Sequence, residues 1–264
     1  MLILNEEKYA KELYDGKNTE VKSAMAKIRY VTRYLIHSEG KTDDATYKST
    51  IEWMKKHHDN FDESCYSNLI SDAIKKANQY PFYIIDNIKI TQSELDIISS
   101  LDNLRAEKVL FVLLCMAKQQ RMSNGFTNGL VKYSITELCK LARVSVPADD
   151  REYILYEIVQ RGLLGYPKKN NTQCLIVNFI DQNDVVLELD EVDCQELAYA
   201  YLNWKNNGKG YTKCQRCHRL MRQSKTKPKK YCEVCAKEVE KENVRERVRR
   251  YRERCNENLT QQND

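Results

Sequence analysis

Glycine and proline are scarce, with 8 and 4 residues in a chain of 264. Turn-dense β architectures and loop-rich chains lean on both, so their scarcity predicts a mainly helical protein with short turns. Long hydrophobic runs are also missing. The longest, Val109 to Ala117, spans 9 residues and is too short to cross a bilayer. Met1 to Tyr9 holds no basic segment leading into an apolar stretch, so no secretory signal is expected and the cytoplasm is the expected compartment. Histidine is rare too. His37, His57, His58 and His218 stand without matching carboxylate or cysteine motifs, and His57 and His58 on one helix would diverge by about 100°. No G-x-x-x-x-G-K-S/T phosphate loop, G-x-G-x-x-G or H-E-x-x-H occurs, and the pairs Asp43-Asp44 and Asp149-Asp150 read as helix starts. An enzyme is not expected.

What is present concentrates near the C-terminus. Cys214-Gln215-Arg216-Cys217 and Cys232-Glu233-Val234-Cys235 are two Cys-x-x-Cys pairs with 14 residues between them, a metal-site spacing. Two such turns can complete a tetrahedral shell of four thiolates around one zinc ion, and a closed shell implies a structural role. The loop between them has few apolar residues and would draw its folding energy from the metal, on the order of 10 kcal/mol for small zinc modules. Disulfides would require an oxidising compartment. A redox pair would require a strand–helix setting. His218 remains a possible substitute for one thiolate. The other cysteines up to Cys194 are scattered and read as small core residues.

Charge is distributed unevenly. Residues 205–255 hold 18 Lys and Arg against 6 Asp and Glu, a net of +12, whereas residues 1–204 carry 25 against 30, a net of −5. The candidate phosphate-binding residues are Arg219, Arg222, Lys225, Lys227, Lys229 and Lys230 in the loop. Arg245, Arg247, Arg249, Arg250, Arg252 and Arg254 extend the set along a helix expected from about Ala236 to Cys255. On that helix Val244, Val248, Tyr251 and Cys255 form a narrow apolar stripe, and its first half is rich in glutamate, which suits the helix dipole.

The rest of the chain divides into a helical region, residues 1–102, and a middle region, residues 103–204, ahead of the module at 205–264. Val21, Met25, Ile28, Val31 and Leu35 recur at helical spacing, followed by helices carrying Tyr47, Ile51 and Met54, then Leu69, Ile70, Ala73 and Ile74. Asp43 or Asp44 is expected to cap the second of these. Residues 82–91 read as a small hairpin turning at Asp86-Asn87, and Thr91 with Glu94 has capping-box spacing. The middle region opens with a helix from Leu104 to about Arg121, burying Val109, Leu110, Leu113, Leu114 and Ala117. A strand near Leu130–Tyr133 follows, then a helix opened by a second capping box, Ser134 and Glu137. A third helix ends at Gly162, and two strands flank a turn at Lys168-Lys169-Asn170-Asn171. The acidic segment 182–204 ends in a helix with Leu197, Tyr201 and Trp204 on one face, and Asn206–Gly210 reads as a mobile linker.

The order helix, strand, helix, helix, strand, turn, strand over residues 103–181 resembles a winged helix-turn-helix domain. That resemblance implies a third helix entering the DNA major groove and a wing, here with Lys168 and Lys169, touching the backbone. Asp149, Asp150, Glu152 and Glu157 on the third helix depart from that use, because an acidic helix repels phosphate. Cys214-Gln-Arg-Cys217, a basic loop, Lys230-Tyr231-Cys232-Glu-Val-Cys235 and the Arg-rich helix resemble the C-terminal zinc knuckle of small bacteriophage and prophage proteins. The resemblance implies a bacterial host cell. The fold expected is therefore mainly α, with a winged-helix-like α+β middle domain and a four-cysteine zinc module. The leading functional expectation is a phage or mobile-element regulator that binds DNA or RNA. The alternative is a non-enzymatic inhibitor or adaptor of a host protein or ribonucleoprotein, such as an anti-CRISPR-like counter-defence factor. No membrane partner is expected.

Overall fold

The computed structural model describes residues 2–17, 21, 23–125, 129–168, 174–224 and 228–261, without the side chains of Asn124 and of residues 254–261. Four helices lead: α1 (Glu6–Tyr14), α2 (Ala24–His37), α3 (Asp43–His57) and α4 (Glu63–Gln79). Their starts are set by side chains that accept backbone N–H groups: Asn5 for α1, Thr42 for α3 and Asp62 for α4. Thr42 therefore takes the place expected of Asp43 or Asp44, which lie in the first turn and complement the dipole there. Ile28, Val31, Leu35, Ile51, Met54, Ile70 and Ile74 make the shared core. Two residues expected inside are not. Met25 lies one turn before the buried stretch of α2, and Leu69 sits about 100° around α4 from Ile70, so both face solvent. Glu6 is fully buried at the start of α1, where Arg33 and Arg29 donate to its carboxylate and Arg33 also donates to the Tyr80 carbonyl.

The expected hairpin over 82–91 does not form. Ile84 bridges to Asn5, and β1 (Ile88–Thr91) pairs antiparallel with β5 (Val185–Leu189). A two-stranded hairpin of such short arms is marginal in water. Splitting it between two partners instead buries Ile85, Ile88 and Ile90 in the same core as Leu2 and Leu4. The capping box forms as expected: the Thr91 hydroxyl accepts the Glu94 N–H and the Glu94 carboxylate accepts the Thr91 N–H, opening α5 (Gln92–Ser99).

Helix α6 (Leu104–Asn124) is the centre of the second core. Val109 to Cys115 are all buried, so the helix is apolar on every side rather than along one stripe. Around it pack β2 (Leu130–Lys132), α7 (Ile135–Leu141), α8 (Ala148–Gln160) and β4 (Cys174–Val177), with β3 (Leu164–Gly165) attached through β4 and α8. The three strands form one antiparallel sheet in the order β2-β4-β3, giving the helix, strand, helix, helix, strand, strand succession expected from the sequence. The second capping box is absent: Ser134 occupies the cap position of α7 but its side chain makes no cap bond. Lys118 of α6 is buried and fully engaged, donating to Glu94 and to the carbonyls of Lys89 and Asp181. Glu94 in turn accepts the N–H of Asp181, so one ion pair ties α5, α6 and the β1–β5 ladder together.

A 3₁₀ turn, Asp193–Glu196, leads into α9 (Leu197–Lys205), whose Leu197, Ala198 and Tyr201 are buried. The Tyr201 hydroxyl donates to Glu107 of α6 at 2.7 Å, and Lys205 binds the same carboxylate. Asn206–Gly210, expected as a linker, is a chain of tight turns hydrogen-bonded back onto α9. The chain then enters a hairpin of β6 (Tyr211–Lys213) and β7 (Leu220–Arg222), and ends in α10 (Glu233–Gln261). Tyr211 packs its ring 5.6 Å from that of Tyr199, and Lys213 lies 3.6 Å from Asp193, so the hairpin is docked on the body. Among the described residues no helix is long and apolar enough to cross a membrane.

Candidate metal centre and the basic face around it

The hairpin exists to hold two cysteines. Strands β6 and β7 pair Lys213 with Leu220, and the Cys214 N–H donates to the Arg219 carbonyl at 2.9 Å, closing a knuckle around Cys214-Gln-Arg-Cys217. The turn finishes at His218, held at φ 59°, with its N–H on the Cys214 carbonyl at 3.0 Å. Histidine is among the side chains that tolerate this left-handed conformation. The role of His218 is thus in the backbone, and its ring is not in the cysteine cluster. The second pair arrives on α10. The helix starts at Glu233, three residues earlier than expected, so Cys235 lies in its first turn and Cys232 just before it. The Cys235 N–H points at the Cys232 sulfur at 3.5 Å, as a capping side chain would be used.

The four sulfurs of Cys214, Cys217, Cys232 and Cys235 all lie within 4.8 Å of one another. Cys217 and Cys232 are 3.7 Å apart. A tetrahedron with metal–sulfur bonds of about 2.3 Å has edges of roughly 3.8 Å, so this pair already sits at metal-bridged separation. The same distance is far beyond a disulfide, and every described cysteine is a free thiol. Burial opposes ionisation of Cys214, but the N–H groups of Cys217, Cys232 and Arg216 outweigh it and bring its thiol down to about 6. Burial raises the thiols of Cys217 and Cys235, and in Cys235 the neighbouring thiols raise it further. Four thiols packed this closely can ionise together only with a cation among them, and the arrangement can hold a metal ion.

Residues 205–232 contain 10 Lys and Arg and no Asp or Glu. Arg219 is half-buried, while Arg222, Lys229 and Lys230 are exposed. None of these four forms an ion pair among the described residues. The helix is different. Arg216 grips Glu242 through two bonds of 2.8 and 2.9 Å, Arg247 pairs with Glu240, and Arg249 and Arg250 both pair with Glu246. Arg245 and Arg252 are exposed and outside any ion pair among the described residues. Lys237 and Lys241 likewise stand outside any ion pair among the described residues, so unpaired cations occur on both the knuckle and α10, but only the stretch 205–232 has no acid of its own. Lys168 is exposed in the β3–β4 connection. Lys169, Lys225 and Lys227, and the side chain of Arg254, lie outside the described residues.

Sequence reasoning missed three participants. Gln223 clamps the basic loop, donating to the Lys229 carbonyl at 2.9 Å and accepting its N–H at 2.8 Å. Arg143 and Tyr199 of the body face the knuckle, with the guanidinium 4.3 Å above the ring centre. Only the symmetric flanking of Cys214-x-x-Cys217 by Tyr211-Thr-Lys and Leu220-Met-Arg could have signalled the hairpin, and nothing local signals Arg143. Compared with protein-family models, curated proteins and solved structures, the chain matches none.

Proposed function

We propose that the protein binds nucleic acid through its C-terminal module and that the module is folded around one structural zinc ion held by Cys214, Cys217, Cys232 and Cys235. Four soft thiolates in a closed tetrahedral set suit zinc, and leave no coordination position for water or substrate. The observation that carries the reading is the stretch 205–232, which has 10 cations and no acid of its own, and in which Arg219, Arg222, Lys229 and Lys230 stand outside any ion pair among the described residues beside the cysteine cluster. Unpaired cations gathered on one surface favour phosphate backbones. The role is non-catalytic, that of a regulator encoded by a phage or mobile element, and the winged-helix-like body supplies a platform or a second contact.

A second reading has its own observation. Tyr153 and Tyr156 on α8 are 71% and 61% exposed beside Asp149, Asp150 and Glu152. A tyrosine-bearing acidic face is suited to a protein and repels nucleic acid, which favours an adaptor or inhibitor of a host protein or ribonucleoprotein. Affinity capture of the tagged protein from a bacterial lysate, with and without nuclease, separates the two. Nucleic acid as the retained cargo, lost when residues 205–264 are deleted, is the expected result. A single host complex retained after nuclease treatment, by wild type and deletion alike, would replace the first reading with the second.

A further inference from the structure

The docked knuckle and the body enclose a groove of about 320 Å³. Resting on the nucleic-acid reading above, we infer that this groove holds a single strand of nucleic acid. One wall is the knuckle, with Arg219, Arg222, Lys229 and Tyr231; the other is the body, with Arg143 and Tyr199. Unpaired cations thus stand on one side of a slot whose other side presents Arg143, held by Glu196, and aromatic surface, a combination by which proteins track a backbone and stack bases without reading a duplex.

Arg143 is the informative residue. It lies between α7 and α8 at φ 48°, a left-handed conformation that costs an ordinary side chain about 1 kcal/mol or more. Its Nε and Nη2 donate to Glu196 at 2.9 and 2.6 Å, and its Cζ lies 4.3 Å from the centre of the Tyr199 ring. The guanidinium is therefore fixed in position, yet its side chain is still 46% exposed. A flat, immobile, exposed guanidinium is a surface on which a base can stack, as is common in single-strand recognition. Two carboxylates line the groove. Glu196 is occupied by Arg143, and Glu233 is at the exposed first turn of α10.

The size of the groove decides between strand and duplex. Its volume is at the lower end of the roughly 300–1,000 Å³ typical of small-ligand sites. A nucleotide fits, whereas a double helix could touch only the rim. Arg219, Arg222 and Lys229 stand outside any ion pair among the described residues, and the exposed Lys230 next to Lys229 extends the row of cations, which favours a polymer over a free nucleotide.

The test uses the full chain loaded with zinc and measures fluorescence anisotropy with labelled oligothymidine, oligouridine and a duplex of equal length. Salt is varied in each titration. Wild type should bind the single strands at least tenfold more tightly than the duplex. Arg219→Ala combined with Lys229→Ala should weaken single-strand binding at least tenfold and reduce the slope of log affinity against log salt by about 1.4, or about 0.7 for each phosphate contact. Arg143→Gly, which suits the left-handed backbone, should lower affinity severalfold while leaving zinc content and melting temperature unchanged. Lys75→Ala with Lys76→Ala on α4 removes the same charge elsewhere and should change affinity less than twofold. If wild type binds but the groove variants bind equally well, or if the duplex binds as tightly, the groove assignment is overturned and the nucleic-acid reading stands. If wild type binds no nucleic acid, both are overturned.

Discussion

Each thiol that becomes a metal ligand must lose its proton, and the four cysteines start from unequal positions. Backbone N–H groups prepare Cys214 as a thiolate, while burial holds Cys217 and Cys235 protonated until a cation arrives. Metal affinity should therefore rise with pH, and competition with a chromophoric chelator should show tighter retention at pH 8 than at pH 6. Cys217→Ser should lower bound metal from one equivalent toward none and expose the hairpin to protease, with the body's melting transition unchanged. The other residue-scale dependency is Lys118. Its ammonium is the buried partner of Glu94, so Lys118→Met leaves a carboxylate uncompensated in the core. The expected cost is about 3–5 kcal/mol in urea unfolding, because breaking a buried pair is worse than never having one.

At the scale of elements, two helix starts with similar signals behave differently. Thr91 and Glu94 complete both bonds of their capping box, and Thr91→Ala should cost about 1–2 kcal/mol. Ser134 makes no cap bond, so Ser134→Ala should be nearly neutral, within about 0.5 kcal/mol. Helix α10 poses a different question. Past the knuckle it is charged on all sides, and Val244, Val248 and Tyr251 are exposed. A helix of that kind is held by its own i,i+3 and i,i+4 ion pairs, such as Arg249–Glu246 and Arg250–Glu246, each worth a few tenths of a kcal/mol. Amide exchange should therefore be fast beyond about residue 244 and slow through Cys235. Protection there that grows with protein concentration would instead reveal a helix partner on the Val244–Val248–Tyr251 stripe.

For the whole molecule, what could be read from the sequence is what depends on neighbours in the chain. The helical class follows from few glycines and prolines. The cysteine set follows from two local Cys-x-x-Cys turns, and the succession of elements around α6 follows from hydrophobic spacing. Those features are local because a turn, a cap and a 3.6-residue stripe are each decided within a few residues. Tertiary structure decided the pairings. Ile84 and Ile88, close enough in sequence to suggest one hairpin, are assigned to Asn5 and Leu189, and these distant partners leave Ile85 and Ile88 buried. Tyr199 reaches Tyr211 across what reads as a linker, and the knuckle is thereby set opposite Arg143. The charge count of residues 205–255 was complete in the sequence, but its distribution was not. Glutamates one or two turns away pair with Arg247, Arg249 and Arg250 on α10, and acids of other elements reach Lys213 and Arg216, while Arg219, Arg222, Lys229 and Lys230 stay outside any ion pair among the described residues, and that difference in distance leaves positive charge on the knuckle.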